Sequence, residues 1–308
     1  MWIVLLMYAL FASVLTVGKH TLQSVDPFFL TGIRMLIAGF ILLIYQLITN
    51  RKKIYLPKKL IFLVCGLAVF NVFITNAFEF WGLQYMETAK TSLIYSFSPF
   101  FAILLSYLFF KEKMSTKKWI GLVVGVIGFS LIFWAPGQER RSLFGPISLP
   151  EIAVSISAFT CVVGWIIMKR LITKYNYPFM TANTFSFLIA GVLSLISSVF
   201  VESWQPIPVS SFYPFLFGML YIAIIHNVIC YNLYGWSLKR FSVSFMVFAG
   251  FSNPPFTAIF GWFFLEESVA PTFFISLALI IIGIFIYSHE EIVLRRALGK
   301  YARDRSEK

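Results

Sequence analysis

The sequence predicts an all-α membrane protein with ten transmembrane helices, arranged as two inverted five-helix repeats with both termini in the cytoplasm. Three observations lead to this prediction: an apolar composition, an alternating distribution of basic residues, and an internal duplication. Hydrophobic residues make up 59% of the 308-residue chain, charged residues make up 12%, and the mean hydropathy is +0.84. A soluble domain does not carry so much apolar surface, so lipid is expected to cover the outside of the protein.

Ten apolar runs are each long enough to cross the hydrocarbon layer as a helix, which takes about 20 residues. They lie at 2–18, 27–48, 60–81, 90–110, 118–135, 149–168, 178–201, 212–236, 241–264 and 270–288. The connections between them are short, which favours one integral membrane domain over 1–288. Its first repeat is predicted at 1–135 and its second at 149–288, and a basic cytoplasmic tail is predicted at 289–308.

The positions of the basic residues assign the orientation of these spans. If the N-terminus is cytoplasmic, 20 of the 25 Lys and Arg residues lie in cytoplasmic loops or in the tail. Cytoplasmic loops of membrane proteins carry such an excess of Lys and Arg. The net charge of +12 is therefore attributed to membrane sidedness and not to nucleic-acid binding. We expect a multi-pass protein of the bacterial inner (plasma) membrane, with the lipid bilayer as one partner.

Two motifs of the first half recur in the second half. Asn71-Val72-x-x-x-Asn76 returns as Asn227-Val228-x-x-x-Asn232, and Leu36-Ile37-Ala38-Gly39 returns as Leu188-Ile189-Ala190-Gly191. Because each copy holds five helices, the second copy must enter the bilayer in the opposite orientation. Inverted repeats of this kind are typical of transporters, whose binding site lies near the bilayer midplane where the repeats meet.

The chain also resembles a known group of proteins through short motifs in both halves. In the order of the chain, these motifs are Phe80-Trp81-Gly82-Leu83-Gln84-Tyr85, Ser98-Pro99, Leu108-Phe109-Phe110-Lys111-Glu112, Tyr234-Gly235-Trp236, Pro254 and Phe264-Leu265-Glu266. They resemble those of the drug/metabolite transporter superfamily, specifically its ten-helix EamA-type transporters. Lys111 and Leu265 stand where that family commonly has glycine. The resemblance implies a central cavity formed mainly by helices one, three, four, six, eight and nine, and alternating access to it.

Two polar stripes near the predicted midplane are candidates for substrate binding. They consist of Asn71, Thr75 and Phe78 in the third span, and of Asn227, Tyr231 and Tyr234 in the eighth. Residues five apart on an α-helix differ by about 140°, so the second asparagine of each motif is not expected on the same face as the first. The alternative is that the asparagines hydrogen-bond neighbouring helices to each other.

Three further polar residues in the spans each have two interpretations. Arg34 is predicted either to bind a substrate carboxylate or to form a structural pair with Glu79, since a buried Arg needs a partner. Lys90 could meet an anionic group or extend to the membrane interface. His226 is either a proton relay or a polar neighbour of other side chains.

Aromatic side chains are abundant in the spans that the resemblance assigns to the cavity. Trp81, Tyr85, Tyr95 and Trp165 join Tyr231 there. Aromatic faces can stack on a planar ring and hold an organic cation. Glu79 and Lys90 complete the predicted set of substrate-binding residues.

These features predict a secondary-active or exchange transporter of a small polar organic metabolite. An amino acid or an amino-acid derivative is the first expectation, and exchange of S-adenosylmethionine for S-adenosylhomocysteine is the more specific alternative. The sequence shows no catalytic set, no phosphate-binding loop and no metal-ligand cluster, so neither an enzyme nor a cofactor is expected. An intramembrane enzyme and a membrane scaffold that does not transport are the alternatives from other classes.

Overall fold

The computed structural model describes residues 2–49, 54–110, 115–132, 147–241, 246, 249–283 and 285–286. Apart from isolated bridges such as that between Val25 and Val209, the regular structure of these residues is helical. In chain order, the helices are α1 Trp2–Thr21, α2 Pro27–Thr49, α3 Lys58–Tyr85, α4 Thr88–Tyr95, α5 Ser98–Phe110, α6 Thr116–Ile132, α7 Leu149–Lys174, α8 Phe179–Val201, α9 Phe212–Ser237, α10 Asn253–Leu265 and α11 Pro271–Gly283.

Six helices of the described residues are long and apolar enough to cross a membrane, namely α1, α2, α3, α7, α8 and α9. The other four predicted spans coincide with shorter helices: 90–110 with α4 and α5, 118–135 with α6, 241–264 with α10 and 270–288 with α11. The predicted tail at 289–308, the boundary between the repeats near 135, and the Lys111–Glu112 motif lie outside the described residues.

Prolines begin helices in this fold. Pro99 is the second residue of α5, and Pro254 and Pro255 follow the first residue of α10. Proline suits the first turn of a helix because the amide hydrogen that it lacks would have no intrahelical acceptor there. The fourth predicted span is therefore two helices, α4 and α5, which meet at Ser96 and Phe97 beside the central cavity.

Both helices that carry the repeated asparagine motif contain a π-helical stretch. The stretches are Ala68–Ile74 in α3 and Ala223–Cys230 in α9, and each includes the first asparagine of its motif. A π-turn leaves some backbone carbonyls without a well-placed amide donor. In α3, polar side chains donate hydrogen bonds to these carbonyls instead. The Thr75 hydroxyl donates to the Phe70 carbonyl at 2.7 Å, and the Asn76 amide donates to the Val72 carbonyl at 2.8 Å. Such π-bulges are frequent at functional sites.

Helices α2 and α8 pack against each other in antiparallel fashion, through glycines from both motif copies. A methyl group added at Gly39 would lie 2.8 Å from Leu188 Cδ2, and one added at Gly191 would lie 2.8 Å from Leu36 Cδ2. The contact is thus reciprocal, as across a two-fold axis. Small residues allow this close approach of helix backbones, which stabilises helix pairs in lipid.

Polar side chains close the two ends of this pair. Near the end of α2, Gln46 donates to Thr184 Oγ1 at 2.6 Å and accepts from Thr181 Oγ1 at 2.8 Å. Just after α8, the Glu202 carboxylate accepts the Phe28 and Phe29 backbone amides at 2.6 and 2.9 Å, at the N-terminus of α2. Burial raises the pKa of Glu202, although these hydrogen bonds act in the opposite sense. The carboxylate also lies favourably at the positive end of the helix dipole.

Candidate functional site

A cavity of about 110 Å³ lies at the centre of the helices and is lined by residues of α1, α3, α4, α5, α7, α9 and α10. Its lining combines aromatic rings, hydroxyl groups and a single carboxylate among the described lining residues, that of Glu79. Typical ligand pockets measure about 300–1,000 Å³, so the surrounding helices must separate before a molecule with a purine ring fits.

Some of the predicted substrate-binding residues line this cavity and others do not. Those in the lining are Thr75, Glu79, Tyr95, Trp165, Tyr231 and Tyr234. Those outside the lining are Asn71, Phe78, Asn227, Arg34, Trp81, Tyr85 and Lys90. Only part of each predicted polar stripe therefore faces the cavity.

Three aromatic side chains form one continuous surface of the cavity, which we call the aromatic cluster: Trp165, Tyr231 and Tyr234. The rings of Trp165 and Tyr234 are stacked, with centroids 3.8 Å apart and an interplanar angle of 17°. Tyr231 tilts against Trp165 at 5.3 Å. This packing fixes the ring planes, so the cluster offers a preformed surface to a flat, aromatic or cationic ligand.

A chain of hydroxyl groups borders the cavity between α3, α4 and α7. Tyr95 and Ser157 share a hydrogen bond of 3.0 Å between their hydroxyls, and Ser157 donates to the Thr75 carbonyl at 2.6 Å. The Thr75 hydroxyl in turn lies 2.9 Å from that of Thr160. These bonds satisfy hydroxyls that would otherwise be costly to bury, and they hold Tyr95 in the lining of the cavity.

Arg34 is fully buried behind the cavity, and its partners differ from the predicted one. Its guanidinium donates to Asn76 Oδ1 at 2.9 Å, to His226 Nδ1 at 2.8 Å and to Asn227 Oδ1 at 3.4 Å. The ion pairs of the described residues do not include one between Arg34 and Glu79, so the predicted pair is wrong. Instead, the side chains of two asparagines and one histidine accept hydrogen bonds from the charged guanidinium.

The same contacts define the state of His226. Arg carries only donors, so the Nδ1 atom of His226 must accept and its ring proton lies on Nε2. His226 itself lines the cavity, whereas Arg34 does not. An imidazole that faces a guanidinium at 2.8 Å is disfavoured as a second cation. We therefore interpret His226 as a neutral polar neighbour rather than a proton relay.

Glu79 is the exception among the polar residues of the site. Its side chain is partly exposed to the cavity, and the described part of the chain offers it neither a hydrogen bond nor an ion pair. An ionised carboxylate inside a membrane is costly unless a cation, a proton or water compensates its charge. Glu79 is thus a carboxylate without a direct polar contact among the described residues, and the Arg34 guanidinium acts on its charge only from a longer distance.

The repeated asparagines bridge helices, which is the alternative to direct substrate binding. Asn71 donates to the Cys161 carbonyl of α7 at 3.1 Å, and Asn227 contacts Arg34 and Met35 of α2. The side chains of the two asparagines of the α3 motif face different helices: that of Asn71 faces α7, whereas that of Asn76 bonds Arg34 of α2 and the Tyr231 hydroxyl of α9. Tyr231 also donates to the Asn71 backbone carbonyl at 3.1 Å.

Lys90 does not reach toward the cavity or the interface. It forms an ion pair with Glu151 of α7, whose side chain is fully buried, while that of Lys90 is 12% exposed. Glu151 also accepts the Ser148 backbone amide at 2.5 Å and so closes a capping box at the start of α7. Lys90 is therefore part of a structural contact between α4 and α7.

Two lysines at similar positions in the two halves of the chain donate hydrogen bonds to carbonyls just after the ends of helices. Lys19 of α1 donates to the Met86 carbonyl just after α3, and Lys169 of α7 donates to the Leu238 carbonyl just after α9. A cation at a helix C-terminus is stabilised by the dipole. Lys19 also lies 3.9 Å from Glu267, whose carboxylate accepts the Thr88 amide and hydroxyl at the start of α4.

Charge is concentrated at this Lys19–Glu267 contact. Glu87 lies next to it, and burial together with the Glu267 charge raises the Glu87 pKa. The sequence motif pointed to Glu266, yet Glu266 only ends α10 in a left-handed conformation, with a φ of 55°. Glu267 is the residue that makes the contacts, and the spacing of the motif did not distinguish the two.

A larger space of about 720 Å³ lies between α1, α9 and α10, away from the predicted residues. Its lining is mainly apolar and includes Phe217 and Phe264, which are 72% and 65% exposed. In a membrane protein such a face contacts lipid. We therefore assign the candidate site to the smaller central cavity, where charge and aromatic rings converge.

The central cavity also contains residues that the sequence did not single out. Tyr8 of α1 lines it, with its hydroxyl donating to the Met246 carbonyl at 2.5 Å. Cys161 of α7, which lies in an apolar run of the sequence, also belongs to the lining. Neither stands out in the sequence, because both lie among apolar residues and only the packing of seven helices turns them inward.

Comparison with protein families gives a match over nearly the whole described fold. The model of the EamA-like transporter family matches residues 1–134 and 148–289. A solved crystal structure also superimposes with a TM-score of 0.64 over 96% of both chains. That structure is only 17% identical in sequence, so it supports the fold alone.

Curated relatives include several bacterial transporters. A protein of Chlamydia trachomatis serovar L2, named S-adenosylmethionine/S-adenosylhomocysteine transporter, is 33% identical over 284 residues, which cover 92% of this chain and 86% of that protein. A protein of Chlamydia muridarum with the same name is 32% identical over 92% of this chain and 89% of its own length. An uncharacterized transporter of Bacillus subtilis is 23% identical over 87% of this chain and 89% of its own length.

Proposed function

Because the chain belongs to the EamA-like transporter family, we propose that it is a carrier that exchanges S-adenosylmethionine for S-adenosylhomocysteine. The chain is a multi-pass integral membrane transporter and not an enzyme, and its bacterial relatives assign it to the inner membrane. The observation that carries the substrate proposal is the carboxylate of Glu79, the single one among the described lining residues, set in one lining with the aromatic cluster.

The chemistry of the cavity suits an adenosyl sulfonium compound. The stacked rings of Trp165 and Tyr234 provide a surface on which adenine can stack. Glu79 and the Tyr231 ring together favour a cation, which the sulfonium and ammonium groups supply. The names of the Chlamydia relatives agree with this substrate class.

A simple amino acid fits the cavity less well. It needs a cation for its carboxylate, and both predicted cations are engaged elsewhere: Arg34 with three acceptors and Lys90 with Glu151. The carboxylate of an adenosyl compound meets the same restriction, because the hydroxyls of Ser92, Ser96 and Ser98 in the lining donate to backbone carbonyls. The adenine ring and the sulfonium group of an adenosyl compound make contacts that a small amino acid cannot make.

The proposed architecture is ten spans in two inverted repeats with cytoplasmic termini. Three features support it: the reciprocal antiparallel packing of Gly39 and Gly191, the π-helical stretches in α3 and α9, and the corresponding helix-end contacts of Lys19 and Lys169. The family model matching two segments, 1–134 and 148–289, agrees with a duplication. We propose that alternating access arises when one repeat tilts against the other, which also enlarges the central cavity.

Counter-transport into proteoliposomes tests this function. Vesicles loaded with S-adenosylhomocysteine should take up labelled S-adenosylmethionine at least tenfold faster than empty vesicles. Vesicles loaded with an unrelated amino acid serve as the control for substrate class. If no adenosyl compound on the inside accelerates uptake, the proposed function is wrong; acceleration by simple amino acids alone would support the other substrate class.

Cysteine labelling gives an independent test of the site. Cys161 lines the cavity, whereas Cys65 and Cys230 do not. Alkylation of Cys161 by a small thiol reagent should abolish exchange and should slow down when S-adenosylmethionine is present. The Cys161→Ser variant should be insensitive to the reagent, and inactivation that persists in this variant would place the reactive thiol elsewhere.

A further inference from the structure

Glu79 raises a question that the proposed exchange does not answer: what compensates its charge when the other substrate is bound? S-adenosylmethionine carries one more positive charge than S-adenosylhomocysteine, because demethylation converts the sulfonium into a thioether. The cavity that receives both compounds offers one carboxylate among its described lining residues, and that carboxylate has no hydrogen-bond or ion-pair partner in the described part of the protein.

We propose that Glu79 matches the charge of the two substrates, ionised opposite S-adenosylmethionine and protonated opposite S-adenosylhomocysteine. This inference rests on the proposed function. A loaded site then has the same total charge with either substrate. The proton binds with S-adenosylhomocysteine on the side where that compound enters, and it leaves on the other side before S-adenosylmethionine binds. Each turnover exchanges one S-adenosylmethionine for one S-adenosylhomocysteine and one proton, so no net charge crosses the membrane.

Among the ionisable groups of the described lining, Glu79 is the one that can change its charge between the two loaded states. The ionisable side chains in the lining are, besides Glu79, Tyr8 of α1, Tyr95 of α4, Cys161 of α7, and His226, Tyr231 and Tyr234 of α9. The phenols and the thiol are neutral at physiological pH. His226 is held neutral because its Nδ1 atom accepts from Arg34. None of these side chains offers a second negative charge to a cation.

Arg34 supplies a constant charge that does not change with the substrate. It lies behind the lining, where its guanidinium is 4.2 Å from the centre of the Phe80 ring and bonds three neutral acceptors. A guanidinium stays protonated in proteins. It therefore favours an ionised Glu79 equally in both loaded states, and the difference between them is left to the substrate and the proton.

Several polar neighbours of Glu79 are held by hydrogen bonds within the protein, whereas its carboxylate is not. The neighbouring polar residues Thr75, Tyr95 and Asn76 all have hydrogen-bond partners within the protein. A similar bond to Glu79 would stabilise its ionised form permanently and would oppose protonation. Without one, the carboxylate responds to whichever cation enters the cavity.

The test uses the full-length protein in vesicles loaded with S-adenosylhomocysteine. At 100 mV, inside negative, transfer of one net charge per turnover would accumulate S-adenosylmethionine about 50-fold. We expect no such effect of the potential on the wild-type protein. A lumen one pH unit more acidic than the medium should instead drive about tenfold accumulation, with one proton leaving per molecule taken up. Accumulation that follows the potential without proton movement overturns the inference.

Variants separate the role of Glu79 from general damage. Glu79→Gln is expected to keep exchange of S-adenosylhomocysteine for itself, to lose S-adenosylmethionine uptake at least tenfold, and to move no protons. Glu79→Asp, which retains a carboxylate, should keep proton coupling at a reduced rate. Proton-coupled uptake at the wild-type rate by Glu79→Gln would assign the proton to another group.

A second exchange reaction distinguishes failure of this inference from failure of the proposed function. Exchange of labelled for unlabelled S-adenosylmethionine moves no net charge and needs no proton. If the wild-type protein does not perform it, the proposed function is wrong. If the protein performs it but its exchange with S-adenosylhomocysteine follows the membrane potential, only the charge-matching role of Glu79 is wrong.

Discussion

Trp165 lies where the aromatic and the hydrogen-bonded parts of the site meet. Its ring stacks on Tyr234 and touches Tyr231, and Tyr231 is held in turn by hydrogen bonds to Asn71 and Asn76. The Asn76 side chain thus acts through an aromatic neighbour, and it orients the cavity surface without belonging to the lining.

Replacing Trp165 with alanine should weaken binding of both adenosyl compounds. Loss of one stacked base costs about 1–3 kcal/mol, which corresponds to roughly a 5- to 150-fold increase in Kd. Trp165→Phe, which retains a ring, should lose much less. Trp81→Ala is the matched control, because Trp81 packs on Tyr85 outside the cavity lining. Equal losses from Trp81→Ala and Trp165→Ala, measured by equilibrium binding in detergent, would contradict the assignment.

Arg34 should matter for stability more than for substrate contact. In Arg34→Gln and in Arg34→Lys the fork of donors that joins Asn76, His226 and Asn227 is lost, at about 1.5–3 kcal/mol for each bond to the charged group. Both variants should unfold at a temperature several degrees lower than the wild type in detergent. Unchanged unfolding with a selective loss of substrate affinity would instead support the carboxylate-binding role.

The pairing of α2 with α8 shows how a repeated motif becomes a structural contact. Leu36 and Gly39 of one helix meet Gly191 and Leu188 of the other, so each copy of the motif is the partner of its counterpart. The antiparallel direction of this contact is what an inverted duplication requires. Helix packing in lipid depends on such close approaches, since lipid tails are as apolar as the helices.

Gly39→Ala and Gly191→Ala should destabilise the protein to a similar extent. In both cases the new methyl group would lie 2.8 Å from a leucine Cδ2 atom, and overpacking of this kind costs about 1–3 kcal/mol. Gly66→Ala is the control, because its methyl group would meet only Ile167 Cδ1 at 3.5 Å. Thermal unfolding of the three variants is the measurement. A strong effect at one of the paired glycines alone would argue against the reciprocal contact.

The whole molecule is organised by the orientation of its two halves. The proposed topology places the loop after α8 outside and the loop after α9 in the cytoplasm. Both loops contain exposed residues, among them Gln205 and Lys239. The opposite placement of consecutive loops follows from α9 crossing the membrane once.

Labelling from outside the cell tests this topology. In a variant without the native cysteines, Gln205→Cys should react with a membrane-impermeant maleimide in intact cells. Lys239→Cys should react only after the membrane is permeabilised, because its loop belongs to the basic cytoplasmic side. Labelling of both cysteines in intact cells would show that the number or direction of the spans is wrong.

The candidate site could be predicted in part. Tyr231, Tyr234 and Thr75 line the cavity, and they stand out in the sequence because polar and aromatic residues are conspicuous in apolar spans and repeated motifs marked their helices. Asn71 and Asn227 were marked by the same signal but bridge helices, which was the alternative interpretation of these residues. Helical phase counted at 3.6 residues per turn does not apply through the π-helical stretches that contain both asparagines. A local change in hydrogen bonding has no clear mark in the sequence.

The sequence by itself determined that this protein is a helical membrane transporter, and it carries motifs that occur twice. The length of an apolar run and the distribution of Lys and Arg along the chain can be read without knowing the fold. Both are directly constrained by the membrane. Only the tertiary structure decided which side chains have partners. It gave Arg34 three neutral acceptors and Lys90 the buried Glu151, and among the described residues it left the Glu79 carboxylate without a hydrogen bond or ion pair. Whether a buried charge is satisfied depends on residues distant in the chain, which only packing brings together.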